Sequence, residues 1–305
     1  MKIGIIGAGA MGCLYAAMLC EKHEVTLFDV NRTVVDALNR DGIRMQSPAG
    51  DEKVYRIPAV MSGEGKKAFD LVILFVKDTA SEAALTSNSI LIGEQTLLLT
   101  LQNGMGNDTI MERFVPKDRI LLGTTKHNCV TLSPGVIYHS GAGVTHIGSL
   151  SGNHEAAGWA AKSFRDCGIE TEACEDVRRL LWQKLFVNMT VNPITAILDS
   201  EISVIRDDPY AHALSRTLID EAVAVAAADG EKFASEDVFC DVMKTVDGFS
   251  RGRSSMWQDI SHGRKTEIDF INGAVVKLGE KYHIPTPCHA AIVQLVHAKE
   301  SLVKQ

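Results

Sequence analysis

The sequence predicts an α/β fold with a doubly wound parallel sheet in its first half, followed by an all-α domain. Two observations carry this prediction: apolar strands alternate with helices in the first half, and from Asn153 onward nearly every segment has helical periodicity. The chain has 305 residues, enough for two domains of roughly 150 residues each. We place the boundary near Cys174, so that residues 1–173 and 174–305 form two domains packed around a cleft.

The strands of the predicted sheet are short and strongly apolar, as strands covered on both faces should be. Helices separate the early strands, which is typical of a parallel sheet with helical crossovers. The predicted elements are strand Lys2–Ile6, helix Ala10–Lys22, strand Glu24–Phe28, helix Asn31–Arg40, strand Leu71–Val76, helix Asp78–Ser87, and strands Thr96–Leu101, Ile120–Thr124 and Ile169–Thr171.

Two stretches depart from this alternation. Ile43–Gln46 and Lys53–Arg56 flank Ser47-Pro48-Ala49-Gly50, a composition typical of a hairpin loop. Residues 129–148 hold two glycine-containing turns between short β-type runs. We expect this second stretch to form an antiparallel meander that closes the sheet.

The second half is predicted to be helical almost throughout. Pro209, Pro285 and Pro287 stand near the starts of predicted helices, where a missing N–H is tolerated. The predicted helices span 153–167, 175–197, 208–229, 235–247, 250–261, 265–282 and 286–303.

Composition and charge exclude several classes of protein. Lys and Arg number 31 against 38 Asp and Glu, a net charge of −7, so nucleic acid is a poor partner. Strictly apolar runs such as Leu71–Val76 are far too short for a membrane span, and the N-terminal apolar run ends at Gly7, too early for a signal peptide. The seven cysteines form no C-x-x-C pair. We therefore expect a cytoplasmic protein without membrane or nucleic-acid partners and without a metal site.

A glycine-rich loop follows the first strand and opens the first helix, with the sequence Gly7-Ala8-Gly9-Ala10-Met11-Gly12. Gly7 permits the tight turn, Gly9 lets the backbone approach a pyrophosphate, and Gly12 lets the helix pack closely on the strand. The helix N-terminus then offers free N–H groups to the phosphates. The loop predicts a Rossmann-like dinucleotide-binding domain.

Asp29 ends the second strand, where an acidic residue can accept a hydrogen bond from the adenosine ribose 2′-OH. A carboxylate there repels a 2′-phosphate, which favours NADH, whereas Arg32 could swing toward such a phosphate. Asp29 could instead cap the second helix.

Lys77 and Asn103 follow two neighbouring buried strands, and ligands of open α/β sheets bind outside the carboxyl ends of strands. Both side chains should therefore face the cofactor. On position alone, Lys77 could also be a surface lysine and Asn103 an ordinary Asn-Gly turn.

A polar stripe crosses the apolar segment 181–196. Lys184, Asn188 and Asn192 recur at four-residue intervals on one helical face. The stripe faces either water or a polar ligand pocket, because buried amides and amines need partners. Pro193 should leave the carbonyl of Met189 without its helical donor, or kink the helix.

Two further polar blocks follow. In the first, Ser255 and Asp259 are helical neighbours; in the second, Glu267 and Asn272 share the next predicted helix. The pattern alone favours surface hydrogen bonding and helix capping.

Together these blocks resemble the ketopantoate reductase (2-dehydropantoate 2-reductase) family. The resemblance covers essentially the whole chain and includes the glycine loop, Gln102-Asn103-Gly104-Met105-Gly106, Trp182 to Pro193, and Ser254 to Gly273. It implies an N-terminal Rossmann domain, a helical C-terminal domain, and an active site between them. It also implies hydride transfer from a nicotinamide cofactor to C2 of a 2-oxo acid, in this family ketopantoate to D-pantoate in pantothenate biosynthesis.

The resemblance also implies roles for individual residues. It makes Lys184 the general acid, since hydride arrival at C2 leaves an alkoxide that an ammonium can protonate. The implied substrate contacts are Asn103, Asn188, Asn192 and Ser255. The implied cofactor contacts, beyond the glycine loop, are Lys77, Asn103, Cys129 and Glu267.

Two departures from the family pattern leave substrate and cofactor open. Asp199-Ser200-Glu201-Ile202 stands where the family often carries an Asn-Gly turn, and Asp29-Val30 stands where NADPH enzymes often carry an arginine. Both resemble NADH-dependent D-2-hydroxyacid dehydrogenases acting on branched or aromatic 2-oxo acids, which is the alternative function. A non-catalytic dinucleotide sensor is a further alternative. We expect NAD(P)H as cofactor: NADPH is the family default, whereas Asp29 favours NADH. We expect a small 2-oxo acid as substrate. The sequence is compatible with a homodimer but does not specify one.

Overall fold

The computed structural model describes residues 1–303. Its contacts divide the chain into two compact units. The first contains residues 1–102 and 107–177, and the second contains residues 103–106 and the chain from Arg178 onward. The second unit therefore includes a short loop from the first half of the chain. The domain boundary near Cys174 stays a prediction.

Twelve strands lie in the first unit, as far as the described residues show. They are β1 (Lys2–Ile6), β2 (Glu24–Asp29), β3 (Ile43–Gln46), β4 (Glu52–Tyr55), β5 (Ala59–Met61), β6 (Phe69–Leu74), β7 (Ile92–Thr100), β8 (Ile120–Thr125), β9 (Asn128–Ser133), β10 (Val136–Gly141), β11 (Thr145–Gly148) and β12 (Thr171–Cys174).

Eight of these strands form the main sheet in the order β12-β11-β8-β7-β6-β1-β2-β5. β1 pairs in parallel with β6 on one side and with β2 on the other, so the direction of winding reverses at β1. β8 and β11 are antiparallel neighbours near one edge. This arrangement confirms the predicted doubly wound α/β fold. In open α/β sheets of this kind, ligands generally bind at the carboxyl ends of the strands beside the reversal.

The prediction for residues 129–148 is wrong in one respect. Only β11 joins the main sheet, whereas β9 and β10 pair as a hairpin in a separate sheet of order β4-β3-β10-β9. β10 adds in parallel to β3, and β3 and β4 form the predicted hairpin around Ser47–Gly50. The turn signals were correct, but they do not specify which sheet a strand joins, because that depends on pairing between distant strands.

Five helices accompany the strands: α1 (Ala10–Leu19), α2 (Arg32–Asp41), α3 (Ser81–Ser87), α4 (Asn107–Met111) and α5 (His154–Arg165). Short 3₁₀ turns precede or follow some of them at Asp78–Ala80, Ser89–Leu91 and Lys117–Arg119. The strand predicted at 71–76 begins earlier and ends at Leu74, so Lys77 lies in the connection to α3 rather than directly at the strand end.

The second unit is helical. Its helices are α6 (Val177–Leu198), α7 (Val204–Asp207), α8 (Pro209–Ala228), α9 (Ser235–Gly248), α10 (Ser255–Ser261), α11 (Asn272–Tyr282) and α12 (Pro287–Val303), with a 3₁₀ turn at Ile268–Phe270. None of the helices within residues 1–303 has the length and apolarity of a membrane span.

Two helices of the second unit begin well after the positions that the periodicity suggested, and in the first unit α1 ends at Leu19 rather than Lys22. α10 starts only at residue 255, because the hydroxyl of Ser254 caps it by accepting the Trp257 N–H. The helix predicted at 265–282 is interrupted before α11, because the Thr266 N–H donates to Glu300 of α12 rather than to a helical carbonyl. In both helices of the second unit a side chain replaces the intrahelical bond.

A buried carboxylate fixes the start of α6. The side chain of Asp229 is 2% exposed and accepts hydrogen bonds from Arg178, Trp182 and Tyr282. The indole nitrogen lies 2.9 Å from one carboxylate oxygen and the tyrosine hydroxyl 2.7 Å from the other. A buried charge with several donors is held firmly, and losing one partner of a buried pair typically costs about 3–5 kcal/mol. The helix that carries the polar stripe is thus anchored two residues before Lys184.

Candidate active site

The glycine loop joins β1 to α1 in a conformation that only glycine allows at two positions. Gly7 has φ +103°, and a Cβ there would lie 2.7 Å from the backbone nitrogen of Val76. A Cβ on Gly12 would overlap the carbonyl oxygen of Gly7. Both glycines are therefore required by the protein's own packing.

Gly9 is different, because no protein atom lies within 4 Å of the position its Cβ would take. It is exposed, has φ −76°, and precedes α1 as an N-cap that makes no side-chain hydrogen bond. Packing within the protein does not explain a glycine at this position, whereas a ligand that approaches the backbone would explain it. Uncapped N–H groups beside an open backbone suit a pyrophosphate, and the loop as a whole fits a dinucleotide. Within it Ala8 is buried, and Ala10 and Met11 are half-buried.

Asp29, the last residue of β2, is bonded to the same loop. Its Oδ2 accepts the Ala8 N–H at 2.7 Å and its Oδ1 accepts the Asn31 N–H at 2.8 Å. Asn31, not Asp29, caps α2, since its side chain accepts the Thr33 N–H at 3.0 Å. The capping role for Asp29 is therefore wrong. The carboxylate at the end of β2 instead holds the glycine loop.

Arg32 stands at the first turn of α2 with its guanidinium 3.5 Å from the carboxylate of Glu64. The two side chains are 62% and 61% exposed. Surface ion pairs of this kind contribute little to stability, so Arg32 can move without a large energetic cost.

Gln102 ties together the backbone at the carboxyl ends of β6 and β7. Its Nε2 donates to the carbonyl of Val76 at 2.6 Å and to the hydroxyl of Ser81 at 3.0 Å, and its Oε1 accepts the Thr100 hydroxyl at 2.7 Å. Lys77 follows Val76 directly and is half-buried. No role for Gln102 is predicted from the sequence. Its position directly after a strand and before Asn103 was the available signal.

Cys129 lies on β9, in the smaller sheet, and is half-buried. Burial raises the pKa of its thiol to about 12. The group is therefore a neutral thiol at physiological pH and not a nucleophile. A cofactor contact by Cys129 would use its backbone or its uncharged side chain.

The polar stripe of α6 lies partly below the surface of the helical unit. Lys184 and Asn188 are half-buried, and Asn192 is 7% exposed. Their neighbours Leu185 and Met189 are almost fully buried. The stripe is not a fully solvated face, and amide and ammonium groups at this depth need polar partners.

Ser254 and Ser255 divide two roles at the start of α10. Ser254 is 5% exposed, accepts a 2.7 Å hydrogen bond from Thr195 of α6, and lies 3.4 Å from the carbonyl of Asn192. Ser255 is exposed. Ser254 thus joins α10 to the stripe-bearing helix, whereas the hydroxyl of Ser255 remains available to solvent or to a ligand.

Asn103 and Glu267 lie together in the helical unit. The amide nitrogen of Asn103 is 3.5 Å from Oε2 of Glu267, both residues being half-buried. The loop that carries Asn103 is held by the Met105 N–H, which donates to the Phe270 carbonyl at 2.9 Å. Gly104 has φ +85°, and a Cβ there would overlap that same carbonyl. The structure therefore brings these two predicted site residues together, over a separation of 164 positions.

Pro193 lies inside α6, and the carbonyl that it leaves without a helical donor is not free. Asn272 donates its side-chain amide to the Met189 oxygen at 3.0 Å. Asn272 is fully buried at the start of α11. The contact between Asn272 and the Met189 carbonyl is not predicted from the sequence.

The fold and these residues define a class: a dinucleotide-dependent enzyme with a separate helical unit that presents a half-buried lysine among asparagines. Family models match both parts of the chain: ketopantoate reductase PanE/ApbA over residues 3–152, and its C-terminal domain over residues 176–300. The chain belongs to the ketopantoate reductase family. It is accordingly an NAD(P)H-dependent oxidoreductase with a small-molecule substrate, and the non-catalytic sensor has no support.

Named relatives cover the full length. The 2-dehydropantoate 2-reductase of Pyrococcus horikoshii is 34% identical over 99% of this chain and 98% of its own. That of Lactococcus lactis is 33% identical over 100% of this chain and 99% of its own. Among solved structures, the ternary structure of D-mandelate dehydrogenase with NADH and anilino(oxo)acetate superposes with a TM-score of 0.94 at 32% identity, covering 100% of both chains.

Proposed function

We propose that the chain reduces ketopantoate to D-pantoate, a step of pantothenate biosynthesis, in the cytoplasm. The observation that carries the proposal is the polar face of α6, where Lys184 and Asn188 are half-buried in line with the buried Asn192. The named relatives at 33–34% identity over the full length support ketopantoate as substrate.

Each residue of this face has a chemical task in the proposal. The cofactor, when bound, supplies the hydride that C2 receives. Lys184 donates a proton to the oxygen on C2, and its positive charge stabilises the developing alkoxide. Asn188, Asn192 and Ser255 donate hydrogen bonds to the substrate carboxylate and hydroxyl without adding charge that must be desolvated.

The remaining site residues would hold the cofactor and orient the donor. The glycine loop binds the pyrophosphate, and Lys77, Cys129 and Asn103 contact the nicotinamide end. Glu267, already within 3.5 Å of the Asn103 amide, accepts a hydrogen bond from the cofactor or orients Lys184. Asp29 accepts a hydrogen bond from the ribose 2′-OH and so favours NADH, whereas Arg32 would favour the 2′-phosphate of NADPH.

The alternative is a D-2-hydroxyacid dehydrogenase that acts on branched or aromatic 2-oxo acids. One observation favours it: where the family often carries an Asn-Gly turn, the carboxylate of Asp199 accepts the indole N–H of Trp257 and lies 3.4 Å from the Arg253 guanidinium. Asp199 has φ +51°, a left-handed conformation that Gly, Asn and Asp adopt more readily than other residues. The similarity to D-mandelate dehydrogenase points the same way.

A panel of 2-oxo acids, each measured with NADH and with NADPH, tests the proposal. It should contain ketopantoate, one branched and one aromatic 2-oxo acid. We expect the highest kcat/KM for ketopantoate. A higher value for the aromatic or branched acid would favour the alternative, and no turnover with any of them would contradict both.

A further inference from the structure

A gap in the hydrogen bonding of α6 lies within the polar stripe. Pro193 has no N–H, so the carbonyl four residues earlier, on Met189, lacks its regular helical donor. Met189 is fully buried. A buried carbonyl without a donor is unfavourable, so the gap must be filled from elsewhere.

Asn272 fills the gap. Its Nδ2 donates to the Met189 oxygen at 3.0 Å and lies 3.2 Å from Nδ1 of His289, and both side chains are fully buried. Nε2 of His289 is 2.9 Å from the carbonyl of Leu218. A carbonyl only accepts, so Nε2 carries the imidazole proton and Nδ1 accepts from the amide.

This network fixes the orientation of the amide. Burial lowers the pKa of His289, which keeps the ring neutral and preserves its Nδ1 as an acceptor. The ring is itself held at the start of α12, because Glu221 of α8 accepts the backbone N–H groups of Cys288 and His289. Two acceptors, the Met189 carbonyl and Nδ1 of His289, therefore orient the Nδ2 group of Asn272.

The placement of Asn272 links two groups of predicted site residues. Met189 lies next to Asn188 and five positions after Lys184. Asn272 follows a tight turn in which Phe270 and Ile271 donate their N–H groups to the carbonyl of Glu267. One amide thus joins the helix with the proton donor to the turn that carries the acidic residue.

We propose that Asn272 is a positioning residue for the reduction, which acts by holding the Lys184 helix at the Pro193 gap against the Glu267 turn. This inference rests on the proposed function, in which Lys184 is the proton donor. Displacements of about 1 Å at a reacting group can lower a rate by about 10²-fold, so a contact outside the site can govern kcat.

Asn272→Ala tests the inference. We expect kcat to fall by about 10- to 100-fold, with a shifted alkaline limb in the pH profile of kcat and little change in cofactor Kd. Asn88→Ala is the matched control, since it also removes a fully buried amide that donates to a backbone carbonyl, at the end of α3. It should lower the Tm and leave kcat and the pH profile as in the parent.

Pro193→Ala supplies the rescue. It restores a backbone N–H that can reach the Met189 carbonyl, so Pro193→Ala/Asn272→Ala should recover at least part of the lost kcat relative to Asn272→Ala. Should Asn272→Ala not fold, the double variant should fold and turn over. Absence of rescue in kcat or folding, or a kcat of Asn272→Ala equal to the parent's, would overturn the inference.

Lys184→Ala, measured in parallel, separates this inference from the proposed function. Asn272→Ala should have little further effect on hydride transfer in the Lys184→Ala background, because it acts through the lysine. If Lys184→Ala retains the parent's kcat, the proposed function fails. If Lys184→Ala loses activity and Asn272→Ala does not, only the positioning role fails.

Discussion

In the glycine loop and at Pro193 of α6, a side chain supplies a hydrogen bond that regular backbone structure does not, but the two side chains come from different distances along the chain. In the loop, Gly7 and Gly12 make room for the backbone, and Asp29 accepts the Ala8 N–H from 21 positions away. At Pro193 the donor for Met189 comes from Asn272, 83 positions further along the chain. The first arrangement is visible in a short sequence motif, whereas the second depends on the packing of helices.

The largest expected effect separates the two kinds of glycine in the loop. Gly12→Ala places a Cβ on the Gly7 carbonyl, and overpacking against backbone should cost about 3 kcal/mol or more of unfolding free energy. Gly9→Ala adds a methyl group to open space, so the Tm should stay at the parent's value while cofactor Kd rises about tenfold. Thermal unfolding measures the stability of each variant, and cofactor titration measures its cofactor Kd. A Gly9→Ala protein with the parent's cofactor affinity would contradict the assignment of the loop.

The two serines at the start of α10 offer a similar contrast in the helical unit. Ser255→Ala should raise the KM for the oxo acid, since a hydrogen bond to a charged group contributes about 1.5–3 kcal/mol, and leave cofactor Kd unchanged. Ser254→Ala removes the cap of α10 and the contact to Thr195, and should lower the Tm instead. If steady-state kinetics show the larger KM effect for Ser254→Ala, the serine roles are reversed.

Substitution of Asp29 is expected to change the preference between NADH and NADPH by about tenfold. Two unit charges 4 Å apart interact with an energy of about 4 kcal/mol at an effective dielectric constant of 20. A third of that energy corresponds to about a tenfold preference for one cofactor over the other. Asp29→Asn removes the charge and keeps an oxygen for the Ala8 N–H, although it gives up the acceptor for the Asn31 N–H. It should narrow the NADH preference in kcat/KM. A parent enzyme that clearly prefers NADPH would mean that Arg32 governs the pocket.

The smallest expected effect is a pH dependence at His127. Burial, and then the neighbouring His139, lower the pKa of His127 from 6.5 to about 4, and its Nδ1 lies 3.0 Å from Nε2 of His139. Between pH 6.5 and 4 the unfolded chain binds a proton there that the folded chain does not, so stability falls as pH falls through this range. His127→Gln should make that fall shallower in urea unfolding at several pH values. The exposed His154→Gln should leave the slope as in the parent; equal slopes for all three proteins would contradict the prediction.

Particular residues show how far the sequence could be interpreted. Local patterns gave the βαβ order, the glycine loop and the stripe on α6, because spacing along one segment determines each of them. The sheet that β9 joins, the interruption before α11 and the division between Ser254 and Ser255 depend on distant partners, such as Glu300 for the Thr266 N–H. The need for a donor to the Met189 carbonyl could be predicted, since a proline inside a helix removes one. The sequence does not show that Asn272 supplies this donor.

The most direct test of the account is single-turnover reduction of ketopantoate by the parent and by Lys184→Ala. Loss of the proton donor should slow the hydride step by about 10²–10⁴-fold, with cofactor Kd unchanged. Lys244→Ala, which removes an exposed lysine of α9, serves as the matched control and should react at the parent's rate. A Lys184→Ala enzyme that reduces ketopantoate within a few-fold of the parent's rate would contradict the central claim.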